Sequence, residues 1–133
     1  TREYPYLSVA TPSTHDMSVL RGWWKENRTL TTRFWREVLG HPGEAPADLD
    51  AQTAEEILRL HLNSPSMLAL ISYQDWTAMD KKLRAKDPEA ERINVPANPR
   101  HYWRYRMPIT LEKLLKETAF NEKIKQMIAA SGR

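Results

Sequence analysis

The chain has 133 residues, a net charge of +3 and 41% hydrophobic against 28% charged residues. That is the balance of one globular domain with a single core, and it excludes a disordered chain. No apolar stretch approaches the ~20 residues of a spanning helix, the longest being Met67 to Ile71, and the absence of cysteine excludes disulfides and thiolate metal sites.

Tyr6 to Thr11 reads as a short strand, flanked by Pro5 and Pro12 and carrying β-branched and small residues. It runs into Ser13-Thr14-His15-Asp16, where Ser18 or Asp16 is positioned to cap the next helix. From Val19 to Leu39 apolar residues recur mostly every three or four positions, which predicts an amphipathic helix broken near Asn27 and stopped by Gly40 and Pro42. Asp48 or Asp50 caps a second predicted helix to about His61, with Leu49, Ile57, Leu58, Leu60 and Leu62 as core candidates. Met67 to Ser72 is a continuous apolar run, as expected of a strand covered on both faces.

A short helix is expected over Trp76 to Leu83, then a charged loop from Lys86 to Arg92 and an irregular stretch from Asn94 to Pro99. Thr110 caps a helix to about Glu117, and Asn121 caps a last one bearing Ile124, Met127 and Ile128. Strands separated by long helical crossovers are the β-α-β signature of a parallel sheet. Two strands alone make no stable sheet, so the expectation is part of a larger barrel or open sheet. The start, Thr1 to Pro5, lacks an initiator Met and a signal-peptide pattern, which points to a chain that begins mid-protein and is cytoplasmic.

Three places carry chemistry. Thr14-His15-Asp16 follows a predicted strand, where parallel α/β folds place catalytic groups. Spacing alone favours the plainer reading, in which Asp16 caps a helix and His15 fills space. Gln74-Asp75 occupies the same position after the second strand, and a cap is again the plainer reading. Arg100 to Arg106 interleaves cations with aromatics. It suits base stacking or sugar stacking, but the plainer reading is packed aromatics with arginines bonding nearby groups. The four histidines, His15, His41, His61 and His101, are scattered, so no metal and no cofactor is expected.

Taken together, Ser13-Thr14-His15-Asp16, Leu20-Arg21-Gly22-Trp23-Trp24, Ser64-Pro65-Ser66-Met67, Gln74-Asp75, Glu91-Arg92-Ile93-Asn94-Val95-Pro96 and Tyr102-Trp103-Arg104-Tyr105-Arg106 resemble the end of the amylomaltase, or 4-alpha-glucanotransferase, family. Met17 after the His-Asp pair and Ala97-Asn98-Pro99 resemble the branch typified by the plant cytosolic disproportionating enzyme.

The resemblance implies an α/β fold: the C-terminal portion, about the last two β/α units, of a (β/α)8 TIM barrel, mostly helical as an isolated piece. Residues 1–133 would form the C-terminal part of a catalytic barrel with no separate second domain. The implied reaction transfers α-1,4-glucosyl units by a retaining double displacement. Its partners are maltose, maltooligosaccharides or glucan and the remainder of the same polypeptide; neither nucleic acid nor membrane is expected.

On the same resemblance, Asp16 matches the carboxylate that stabilises the transition state. His15 matches an imidazole holding the reacting sugar, and Asn94 a loop residue near it. Gln74, Asp75, Trp103 and Arg106 match supporting residues. The motifs of the nucleophile and the acid/base have no match here, so the isolated chain is expected to be inactive, and half-barrel surfaces are expected to promote self-association. The rival reading is a non-catalytic carbohydrate- or nucleic-acid-binding module using the run at 100–106.

Overall fold

The computed structural model describes all 133 residues. It is mostly helical, with a small sheet of two parallel strands, β1 (Val9–Ala10) and β2 (Leu68–Ala69). Val9 lies opposite Leu68 and Ala10 opposite Ala69. Backbone bonds from Met67 N to Tyr6 O (2.7 Å) and Leu70 N to Ala10 O (2.9 Å) extend the contact beyond the paired residues.

Both strands are shorter than their apolar runs predict. Each has a single neighbour, so one edge of each is unpaired. Ser72, read as strand, instead caps the next helix. The expectation that 67–72 is covered on both faces is not met either: Met67, Leu68 and Leu70 are exposed, because no further strand or helix lies over them.

The crossover between the strands consists of α1 (Leu20–Glu26), α2 (Arg28–Glu37) and α3 (Ala51–Leu62). The predicted break falls at Asn27, whose extended backbone ends α1 and whose side chain accepts Leu30 N–H to start α2. Trp24, fully buried, packs edge-on against Trp23 and Trp35. Its indole N–H bonds Pro46 O at 2.9 Å, pinning the 41–47 loop. Asp50 caps α3 as expected, its carboxylate accepting Thr53 N–H at 2.9 Å.

After β2 come α4 (Tyr73–Ala78), a 3₁₀ turn (Pro88–Glu91), α5 (Leu111–Lys116) and α6 (Thr118–Ala130). Helix α4 starts three residues before the predicted Trp76 because Ser72 is its N-cap: Ser72 Oγ accepts Asp75 N–H at 3.1 Å. Thr110 caps α5 as expected. Helix α6 also starts earlier than expected; Asn121 is no cap, and its amide instead donates to Leu114 O at 2.8 Å, tying α6 to α5. At the far end of α6 the Arg133 guanidinium bonds the carbonyls of Leu62, Ser64 and Ser66, each at 2.7 Å, clasping the α3–β2 loop.

The core gathers around α3: Ile57, Leu58 and Ala54 meet Trp24 of α1, Ala78 of α4 and Met127 of α6. Below this core lies a charge pair with no local sequence signature. Glu91, 2% exposed, accepts Ala85 N–H at 3.0 Å and stands 3.1 Å from Arg21 Nη1. Arg21 gives an N–H of that same nitrogen to Ala85 O at 2.7 Å. The pair joins α1 to the 3₁₀ turn.

Burial pushes the Glu91 carboxyl above the ordinary glutamate range, more than Ala85 N–H and Arg21 pull it down. The folded chain therefore holds that proton more tightly than the unfolded chain, and this contribution to stability is fully present below the unfolded value. It is lost as pH rises through the raised folded value. Denaturant midpoints measured upward from about pH 4 should show Glu91→Gln, which mimics the protonated carboxyl, nearest to the parent at the low end, where Glu91 is itself neutral. The variant should also lack this component of the decline with pH. A difference between the two proteins that does not change with pH would contradict the assignment.

Candidate active site

The loop from Thr11 to Val19 leaves the C-terminal end of β1 and carries His15 and Asp16. Its two ends are held by one carboxylate. Asp75, wholly buried, accepts Leu20 N–H at 2.9 Å through Oδ1. Through Oδ2 it accepts the hydroxyls of Ser13 and, at 2.9 Å, Ser72. Helix α1 has no cap of its own; Val19 sits at the N-cap without a side-chain bond. The expectation that Ser18 or Asp16 caps it fails because Asp75 reaches the first N–H from 55 residues away. Ser18 instead donates to Glu26. Gln74 is buried beside Asp75, and its amide donates to Glu91 O at 3.3 Å. Asp75 thus ties both ends of the loop by hydrogen bonds, whereas Gln74 bonds the 3₁₀ turn and not the loop.

Asp16, freed from capping, has a side chain 54% exposed. Its Oδ2 stands 3.3 Å from His15 Nε2, and its Oδ1 accepts the Asn94 amide at 2.7 Å. Asn94 is brought there from 78 residues away by three ties. Its own N–H bonds His15 O at 3.0 Å. Arg92 Nε donates to Asn94 O at 3.0 Å while its Nη1 donates to Ser18 Oγ at 2.9 Å. The His101 ring nitrogen bonds Ile93 O at 2.8 Å.

Trp103 completes the group: its indole N–H donates to Asn94 Oδ1 at 3.0 Å, and its ring centroid lies 5.3 Å from that of His15. The plainer reading of the 100–106 run as buried aromatics is overturned. Trp103 is 58% exposed and Tyr102 is exposed as well, because this stretch lies across the Asn94 loop and not inside the core. Arg106 makes no hydrogen bond to the group; it donates to the carbonyl of its neighbour Tyr105. Two tyrosines whose burial the sequence reading did not single out are half-buried near Glu91. Burial pushes the Tyr105 phenol up to about 12 and raises that of Tyr73, with Glu91 adding to both.

The structure thus brings His15, Asp16, Asn94 and Trp103 into one open surface at a parallel strand's C-terminal end. An ionised carboxylate accepts hydrogen bonds, while imidazole and amide N–H groups donate. Alternating acceptors and donors of this kind suit a ligand rich in hydroxyls. The loop offers one carboxylate, and Asp75 is buried and committed to three donors. No three His, Asp or Glu side chains gather in a metal-binding cluster, and no helix is long and apolar enough to cross a membrane.

Residues 1–111 match the family described as 4-alpha-glucanotransferase, glycoside hydrolase family 77. The rice protein 4-alpha-glucanotransferase DPE2 (Oryza sativa subsp. japonica) is 38% identical over 131 residues, 98% of this chain and 14% of the rice protein. The 4-alpha-glucanotransferase of Chlamydia trachomatis is 33% identical over 120 residues, 90% of this chain and 22% of that protein. The chain therefore spans well under a third of these relatives. Among solved structures, an amylomaltase from Streptococcus agalactiae in complex with acarbose superposes with a TM-score of 0.67 at 21% identity, over 98% of this chain and 23% of that one.

Proposed function

The chain belongs to the 4-alpha-glucanotransferase family, and on that premise we propose that it supplies the transition-state-stabilising part of a transglycosylase active site. Residues 1–133 form the last two β/α units of a (β/α)8 barrel and the C-terminal part of its catalytic domain. Strands β1 and β2 serve as strands seven and eight. The parallel register with helical crossovers and the superposition on part of an amylomaltase support this reading. The exposed apolar residues of the sheet, Val9, Leu68 and Leu70 among them, are the surface that the remaining barrel covers.

The reaction is transfer of α-1,4-glucosyl units from maltose or maltooligosaccharides to another sugar or glucan in the cytoplasm, with retention of configuration. A retaining double displacement needs two carboxyl groups ~5–5.5 Å apart, one as nucleophile and one as acid/base. Those come from elsewhere in the polypeptide. Asp16 carries negative charge toward the sugar as positive charge develops on its ring, while His15 and Asn94 hold ring hydroxyls.

One observation carries the proposal: Asp16 lies at the C-terminal end of a parallel strand, where barrel enzymes place their chemistry, held open by His15 and Asn94 and not consumed as a helix cap. The test is Asp16→Asn in a full-length glucanotransferase carrying this segment. Loss of transfer from maltotriose supports the reading, and near-normal turnover removes it. The 133-residue chain alone should release no glucose from maltotriose, since it lacks the nucleophile and acid/base. Measurable disproportionation by the purified chain would overturn that division of labour.

A further inference from the structure

Trp103 lies outside the residues assigned above to hold the sugar, yet its indole is bonded to one of them. We propose that Trp103 is a positioning residue that sets the rotation of the Asn94 amide and, through it, the aim of the Asp16 carboxylate. The inference rests on the reading of Asp16 given above.

The argument is one of hydrogen-bond type. An indole N–H only donates, and an ionised carboxylate only accepts. Asn94 stands between them, 3.0 Å from Trp103 Nε1 through Oδ1 and 2.7 Å from Asp16 Oδ1 through Nδ2. One amide orientation satisfies both neighbours. Rotation by a half turn would face Nδ2 with the indole N–H and Oδ1 with the carboxylate, two like contacts in place of two bonds.

The backbone of Asn94 is already fixed by His15 O and Arg92. The side-chain rotation is what remains to be chosen, and Trp103 fixes it together with the Asp16 carboxylate. The ring also borders His15 at 5.3 Å, so one residue flanks both groups that orient Asp16. Its own exposed face shows that it is not there to fill the core.

Without the indole donor the amide is held by the Asp16 carboxylate alone, and the bond that orients Asp16 is less firmly set. A group whose aim matters in the transition state changes kcat, whereas a platform that binds ground state and transition state alike changes KM. A net hydrogen bond of about 1 kcal/mol corresponds to roughly a five- to tenfold change in rate.

The experiment is a double-mutant cycle in a full-length glucanotransferase carrying this segment, with Trp103→Phe, Asn94→Ala and the pair, assayed for kcat and KM on maltotriose. Trp103→Phe keeps an aromatic ring and removes the donor. It should lower kcat roughly five- to tenfold with KM within about twofold. In the Asn94→Ala background the same change should cost less than about twofold, because there is no amide left to orient.

An equal loss in both backgrounds, or a loss confined to KM, would overturn the proposal. Should Trp103→Phe fold poorly, Asn94→Ala still decides: unchanged kcat in that variant removes the group through which Trp103 is said to act. Asp16→Asn measured in parallel separates the two readings, since retained activity there fails the site itself and not merely its positioning.

Discussion

Asp16→Asn is expected to lower kcat for transfer between maltooligosaccharides by on the order of 10²–10³-fold or more, with little change in folding. The variant keeps the shape of the side chain and an oxygen to accept the Asn94 amide, so the local hydrogen bond survives. What it removes is a negative charge held in place before the reaction begins. Such a group stabilises positive charge that develops only in the transition state, and its loss falls on the chemical step. Because the side chain is half exposed and makes no helix cap, the melting temperature should hardly move; surface substitutions of this kind lie within about ±0.5 kcal/mol. The check is glucose release and chain-length redistribution from maltotriose, alongside a thermal melt. Turnover within a few-fold of the parent enzyme would exclude Asp16 from the chemistry.

Much of the helical frame was legible because its signals are local. Asn27, Asp50 and Thr110 each cap a helix from within one turn, and caps of that kind are written in neighbouring residues. The failures share the opposite cause. Asn121 was read as a cap and instead bonds a carbonyl of α5. Ser72 was read as strand because the apolar run before it masks the N-cap bond it makes with Asp75 N–H. The Arg21–Glu91 pair spans 70 residues and leaves no periodic trace. For the candidate site, spacing alone made Asp16 a cap; the family resemblance singled out His15, Asp16 and Asn94 as a group. Trp103 was named only as a supporting residue, its contact with Asn94 unforeseen, because a run of arginines and aromatics is ambiguous until the Asn94 loop is folded beneath it. Its exposed position follows from a tertiary contact and not from its neighbours in sequence.

Asp75→Ala should be among the most destabilising single substitutions in the chain, costing on the order of 3–5 kcal/mol. Three donors converge on this carboxylate: Leu20 N–H, Ser13 Oγ and Ser72 Oγ. Leu20 and Ser13 are themselves buried, so water cannot readily replace the lost acceptor. Hydrogen bonds to a charged group contribute about 1.5–3 kcal/mol each, and a buried donor left unpaired costs about 1–3 kcal/mol. The effects overlap and do not sum, yet against a total stability of about 5–15 kcal/mol the loss is large. Ser13→Ala and Ser72→Ala each remove one donor and leave the acceptor partly served, so each should cost about 1 kcal/mol. Urea midpoints for the three variants give the comparison, and an Asp75→Ala cost no greater than that of either serine would refute the bracket. The same carboxylate fixes both ends of the segment bearing His15 and Asp16. A milder variant that still folds, Ser13→Ala, should therefore lower kcat in the full-length enzyme more than its small cost in stability would suggest, because the loop bearing His15 and Asp16 then loses its tie to Asp75 at that end.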